Sequence, residues 1–215
     1  MSDEYCKNIF INCPYDSDYR EKVMAIIFTV LFLGFNPRMS IESLDSSDNR
    51  LNKIAVLIRE SSSSIHDLSR MKSEKKKEIF RLNMPFELGF DYGCKIFSDE
   101  KHATKKILIL EKEQYLAKQA ISDINGFDIE CHHDDVYKAI THVRNWIQNC
   151  NNLKNIVAPN KIWYIYTEVF MTWYLKRMTI DLGYDEGEYL EHVQICEYID
   201  YIKEWLLVVE KKQVQ

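Results

Sequence analysis

Short apolar runs that alternate with helical patterns constrain this chain more than any single residue does. Residues 8–13, NIFINC, form such a run, closed by Pro14, and predict a buried strand. Residues 18–32 follow with Val23, Ile26, Ile27, Val30 and Leu31 at helical spacing, and Gly34 ends that helix. Residues 35–43 predict a second, shorter strand. Residues 50–61 predict a helix with Leu51, Ile54, Ala55, Leu57 and Ile58 on its inner face. Further strands are expected at 64–68, 106–110 (KILIL) and 126–131, with helices at 85–95 and 135–149. Pro85 suits the first position of its helix, where no N–H partner is lost. Apolar strands alternating with helices at short spacing predict βαβ units, an α/β fold with a parallel sheet covered on both faces. In such sheets a ligand binds beyond the carboxyl ends of the strands, so the residues just after each strand are the ones to weigh.

The pattern breaks at 150–160. Residues 161–178 are rich in aromatics (Trp163, Tyr164, Tyr166, Phe170, Trp173, Tyr174), and 189–209 form another helix candidate. The expected organisation is therefore a domain over 1–150 and a helical C-terminal extension over 151–215. Aromatics at helical spacing usually belong to a core, so packing on the α/β layer is expected, with an oligomer contact as the alternative.

At 215 residues, 46% of them hydrophobic, the chain can bury one good core and a small appendage. A net charge of −5 argues against duplex nucleic acid as the main partner. No apolar run is long enough to span a bilayer, and the start, MSDEYCKNIF, does not read as a secretory signal. The six cysteines have no paired spacing and read as reduced thiols in small core positions. A soluble, cytoplasmic protein is expected. The charge run KSEKKKE at 72–78 reads as a solvated loop.

Four groups fall beside predicted strand ends: Asn12 to Asp16, including Tyr15; Arg38 with Glu42 nearby; His66 to Arg70, including Asp67 and Ser69; and Arg81 to Gly89, including Asn83, Phe86 and Glu87. A parallel sheet brings such segments to one edge. Arginines, carboxylates and aromatic rings together suit a ligand with a phosphate, a sugar and a base. Glu87 also has a structural reading: with Pro85 opening the helix, it falls third, where a glutamate reaches back to cap.

The run Arg81-x-Asn83-x-Pro85-Phe86-Glu87-Leu88-Gly89, with Gly93 beyond it, resembles the glutamate-bearing helix of the TIR-like and nucleoside deoxyribosyltransferase-like superfamily. The opening FINCPYDSDY is similar to the first strand and loop of TIR domains, and Asp67 to Arg70 fits that superfamily's third strand end. The resemblance covers residue 5 to about 147 and implies a flavodoxin-like open parallel sheet. It also implies chemistry on an N-glycosidic bond: cleavage of NAD at the nicotinamide–ribose bond in TIR enzymes, or attack on a nucleoside in the deoxyribosyltransferases. Glu87 takes the catalytic role by this resemblance, with Asn12, Tyr15, Asp16, Arg38, Asp67, Ser69, Arg70, Arg81, Asn83 and Phe86 as substrate-binding candidates. NAD enters as substrate, not cofactor, and self-association is expected. TIR-like proteins in bacteria often serve in antiphage defence, and that role too comes by resemblance.

The oxocarbenium-like state left by base departure suits a single carboxylate when the leaving group is a pyridinium, which departs neutral. A purine or pyrimidine usually wants a proton, for which His66 or Asp67 are the candidates. Cys131-His132-His133-Asp134 lacks the usual zinc spacing, and no metal is expected. There is no P-loop, GxGxxG or GxSxG. A nucleotide-binding sensor or adaptor without turnover is the competing class.

Overall fold

The computed structural model describes residues 2–41, 49–71, 82–185, 187 and 192–213. Five strands form one sheet: β1 Asn8–Asn12, β2 Asn36–Arg38, β3 Ser63–Asp67, β4 Lys106–Glu111 and β5 Ile129–Cys131. Their order is β2-β1-β3-β4-β5 and every pairing is parallel. The expected α/β class and open parallel sheet are both found. All five residues of β1 and of β3 are buried, as strands covered on both faces must be. The chain leaves β1 toward β2 on one side and returns to β3 on the other. The strand order therefore reverses between β1 and β3, the crevice where open α/β sheets bind ligands.

The helices are α1 Asp3–Lys7, α2 Arg20–Phe32, α3 Arg50–Arg59, α4 Asn83–Phe97, α5 Glu100–Ala103, α6 Leu116–Ala120 and α7 Val136–Asn151. The short helices α1, α5 and α6 carry too few turns to leave a periodic signature. Several boundaries differ from the sequence expectation. The strand expected over 35–43 is ordered as β only at Asn36–Arg38, and 42–48 lie outside the described residues. The strand expected at 126–131 shortens to Ile129–Cys131.

The correction that matters most concerns α4. It begins at Asn83, so Pro85 is its third residue and Glu87 its fifth. The first-turn amides have no intrahelical partner, so proline costs nothing anywhere within that turn. At the fifth position Glu87 is too far along the helix for the expected capping box.

One core joins α2 and α7 to one face of the sheet; α3, α4 and α6 cover the other. Lys22 through Leu31 are all buried, an entire stretch of α2 with no solvent face. A helix that is apolar all round needs cover on every side. The residues after 151 supply it. Pro159–Tyr164 (α8) continues through a π-helical stretch, Ile165–Phe170, into Met171–Lys176 (α9) and a second π-helical stretch, Arg177–Asp181. Ile195–Gln213 (α10) packs beside them. Phe28 on α2 meets Tyr166, Phe170 and Trp205 at ring-centroid distances of 5.2, 5.0 and 5.8 Å. Among the described residues no helix is long and apolar enough to cross a membrane.

The π-helical turns have a reason in the spacing. Ile162, Tyr166, Phe170, Tyr174 and Met178 repeat every four residues and all are buried. At 3.6 residues per turn a four-residue repeat drifts about 40° per step around a straight helix. Wider turns take up that drift and keep the row aimed at α2.

Candidate functional site

The inward face of α4 carries Met84, Glu87, Leu88 and Asp91, buried at helical spacing. Two carboxylates one turn apart thus enter the protein beside the carboxyl end of β1, and their surroundings differ.

Asp91 lies between a histidine and a lysine. His66 Nε2 lies 3.0 Å from its Oδ2 and Lys105 Nζ 3.2 Å from its Oδ1, with all three residues at 0% exposure. Lys105 also donates to the carbonyls of Ile58 (2.8 Å) and Ser61 (2.6 Å). Burial alone would raise the Asp91 carboxyl, but His66, Lys105 and Ser64 outweigh it and hold it below the usual range. Asn12 Nδ2 lies 3.0 Å from His66 Nδ1 and donates to the Met84 carbonyl at 2.9 Å. It ties the end of β1 to the first turn of α4.

Glu87 has no such complement. Among the described residues its ion-pair partner is Arg50, whose Nη2 is 3.8 Å from Oε1; the glutamate side chain is 7% exposed and the arginine 59%. Burial pushes the carboxyl above the ordinary glutamate range and Arg50 only partly offsets it. Arg50 is the first residue of α3, whose start is fixed by Asn49, accepting from the amides of Leu51 (2.9 Å) and Asn52 (3.2 Å). Burial also raises the Tyr15 phenol, which responds in turn to Cys13, Ser40, Glu87 and Arg50. Cys13 is raised by burial first, then by Asp67 and Glu87. These residues gather the ends of β1 and β2 and the first turns of α3 and α4 around one carboxylate.

A second polar cluster lies at the ends of β3 and β5. Asp67, at 0% exposure, accepts from the Tyr19 hydroxyl and from the Ser69 amide (2.8 Å), and its Oδ2 is 3.0 Å from His132 Nε2. Burial raises its carboxyl, yet His132, Ser69 and Tyr19 reverse the shift and the net displacement is downward. Ser69 Oγ sits 3.0 Å from the same His132 Nε2, while Nδ1 accepts from the Asp134 amide at 3.0 Å. The positive φ of His133 (51°) and Asp134 (62°) turns the chain back to make that bond. Serine, histidine and aspartate therefore meet, but not as a nucleophile triad, which needs serine and aspartate on opposite ring nitrogens.

The remaining sequence candidates divide between these places. Arg70 Nε lies 3.4 Å from Asp16 Oδ2, and its guanidinium also pairs with Asp18, at the rim between β1 and β3. Arg38 turns away: its Nη1 is 3.2 Å from Glu60 Oε2, in a groove with Asn8 and Asn36 toward the opposite strand ends. Asn83 is exposed, and Phe86, 59% exposed, stacks on Phe90 with ring centroids 6.4 Å apart. Arg81 and Glu42 lie outside the described residues. Sequence reasoning does not single out Arg50 or Ser40, and it weighs His132 only as a metal ligand, whereas the structure sets it against Asp67. The signal for Arg50 is the N-cap asparagine directly before it, the last residue of the polar run LDSSDN.

All six cysteines are free, and only Cys13 is buried, so most do not sit in the core positions expected for them. Among the described residues no group of three His, Cys, Asp or Glu side chains could hold a metal ion. No protein-family model matches the chain, and no curated protein or solved structure matches it either.

Proposed function

We propose that this chain is a TIR-like enzyme that consumes NAD by cleaving the nicotinamide–ribose N-glycosidic bond, with Glu87 as the acting carboxylate. The observation that carries this reading is the contrast on α4: Asp91 lies between His66 and a buried lysine, whereas Glu87 is buried, raised and, among the described residues, paired with an exposed arginine 3.8 Å away. Such a group is poised for a positive charge that arrives with a ligand. The strand order, with its reversal beside this site, agrees with the flavodoxin-like arrangement that the resemblance implies.

The chemistry follows from the charges. The glycosidic C–N bond breaks with its electron pair going to the pyridinium nitrogen, so nicotinamide leaves neutral and needs no proton. Ionised Glu87 stabilises the cation at the sugar carbon, or bonds to it, until water or an internal nucleophile adds there and sheds a proton. Removal of an uncharged purine or pyrimidine would need an acid. His66 and Asp67, the two sequence candidates for that task, are both at 0% exposure and committed to Asn12, Asp91, Tyr19, Ser69 and His132. This favours a cationic leaving group over the deoxyribosyltransferase alternative. Free cysteines fit a reducing, cytoplasmic setting. A part in antiphage defence rests on the resemblance alone.

Incubation of the purified protein with NAD, followed by mass spectrometry, tests the reading. Nicotinamide release is expected, falling at least ~100-fold in Glu87→Gln. Binding of NAD without release would support a sensor instead, and base release from nucleosides but not NAD would support the deoxyribosyltransferase branch.

A further inference from the structure

Two buried side chains of the sheet hold α4 at two points, and Glu87 lies between those points. Asn12 closes β1, and His66 stands beside it on β3 in the register of the sheet. Asn12 Nδ2 is 2.9 Å from the Met84 carbonyl and 3.0 Å from His66 Nδ1, and His66 Nε2 is 3.0 Å from Asp91 Oδ2. Met84 comes three residues before Glu87 and Asp91 four residues after it, so the two grips fall one turn to either side of the carboxylate, on the buried face it shares with them.

The direction of each bond follows from what each group can do. A backbone carbonyl only accepts, so the Asn12 atom that faces Met84 is the amide nitrogen, not the oxygen. That nitrogen has two hydrogens. One goes to Met84 and the other to His66 Nδ1, which therefore accepts. The imidazole proton then sits on Nε2 and is donated to the Asp91 carboxylate. Only this tautomer sets a donor against an acceptor at every step from Met84 to Asp91. With both amide hydrogens engaged inside the protein, Asn12 Nδ2 has none left to donate to a ligand, although sequence reasoning places it among the substrate-binding residues.

A directional chain of this kind resists sliding in a way that an apolar contact does not. Glu87 gives it something to resist. A desolvated carboxylate gains by moving toward water, and α4 would have to shift outward to let it do so. The network also reaches the partner of Glu87. Lys105, on the other Asp91 oxygen, donates to the Ile58 and Ser61 carbonyls at the far end of α3, the helix whose first residue is Arg50.

We propose that Asn12 and His66 are positioning residues for Glu87, a clamp that grips α4 on both sides of it and keeps its carboxylate inside the protein at the carboxyl end of β1. The role rests on the assignment of Glu87 to the site, but the clamp can be tested without turnover.

NMR of the full chain provides the test. Imidazole nitrogen shifts of the wild type should show His66 with its proton on Nε2 and Nδ1 bare; a proton on Nδ1 overturns the proposal. Side-chain carbon shifts of Glu87 are then followed through a pH titration in wild type and in Asn12→Ala. Glu87 should titrate above 4.5 in the wild type and return toward 4.5 in the variant, as the freed helix lets water reach it. A folded variant in which Glu87 titrates as in the wild type overturns the proposal, because Asn12 would then support the fold alone. Asn12→Leu, which fills the space without donating, is read in the same way if Asn12→Ala does not fold. In the NAD assay Asn12→Ala should lose about 100-fold in kcat with KM little changed. A wild type without turnover counts against the proposed reaction, and the titration still decides the clamp.

Discussion

Glu87 and Asp91 are chemically similar and one helical turn apart, yet the fold treats them oppositely. Asp91 is locked between His66 and a lysine with no exposure, and its removal should be purely structural. Asp91→Asn leaves Lys105 buried with two carbonyls and no counter-charge, so a loss of about 3–5 kcal/mol is expected in urea unfolding. A loss under ~1 kcal/mol would mean that the pair is not part of what holds α4 in place. In sequence the two acids look alike. Spacing places both on one face of α4, but only the partners, drawn from β3 and from the turn before β4, separate the structural acid from the candidate functional one. The same limit explains Arg38, which sequence places near the site and which Glu60 draws to the other end of the sheet.

The βαβ elements were legible because their signals are local: apolar strands, amphipathic α7, glycine after α2. The helical extension was legible as helix, and its aromatic spacing pointed to packing on the α/β layer, but not to which element it covers. Its meaning lay in α2, whose run KVMAIIFTVLF has no polar face and so demands a cover that the sheet alone does not give. Phe170 is the centre of that cover, with ring contacts to Phe28, Tyr174, Tyr198 and Trp205 at 5.0 to 5.9 Å. Phe170→Ala should cost about 3–5 kcal/mol in denaturant unfolding, as large core truncations do. A variant with wild-type stability would show that residues after 151 are a detachable appendage.

Stability of the whole molecule should carry opposite signatures from the two kinds of carboxylate. Asp67 and Asp91 are held below the ordinary aspartate value of 3.8, so their contribution is present above that value and is lost as pH falls through the lower folded value. Acid titration followed by circular dichroism should show cooperative unfolding there; a fold that persists well below that range would contradict the two clusters. Glu87 is raised above 4.5, so the native state takes up its proton before the unfolded chain does. Stability from this residue therefore falls as pH rises from 4.5 through the raised value, and at neutral pH the ionised group is a net burden on the fold. Under the proposed function, the ligand's positive charge is what offsets that burden. The direct measurement is the Tm of Glu87→Gln against wild type from mildly acid to neutral pH. The variant should melt higher at neutral pH, with the difference shrinking as pH falls toward the ordinary glutamate range. A variant that melts lower than wild type at neutral pH would make Glu87 a structural residue of α4 and remove the basis for placing the active carboxylate there.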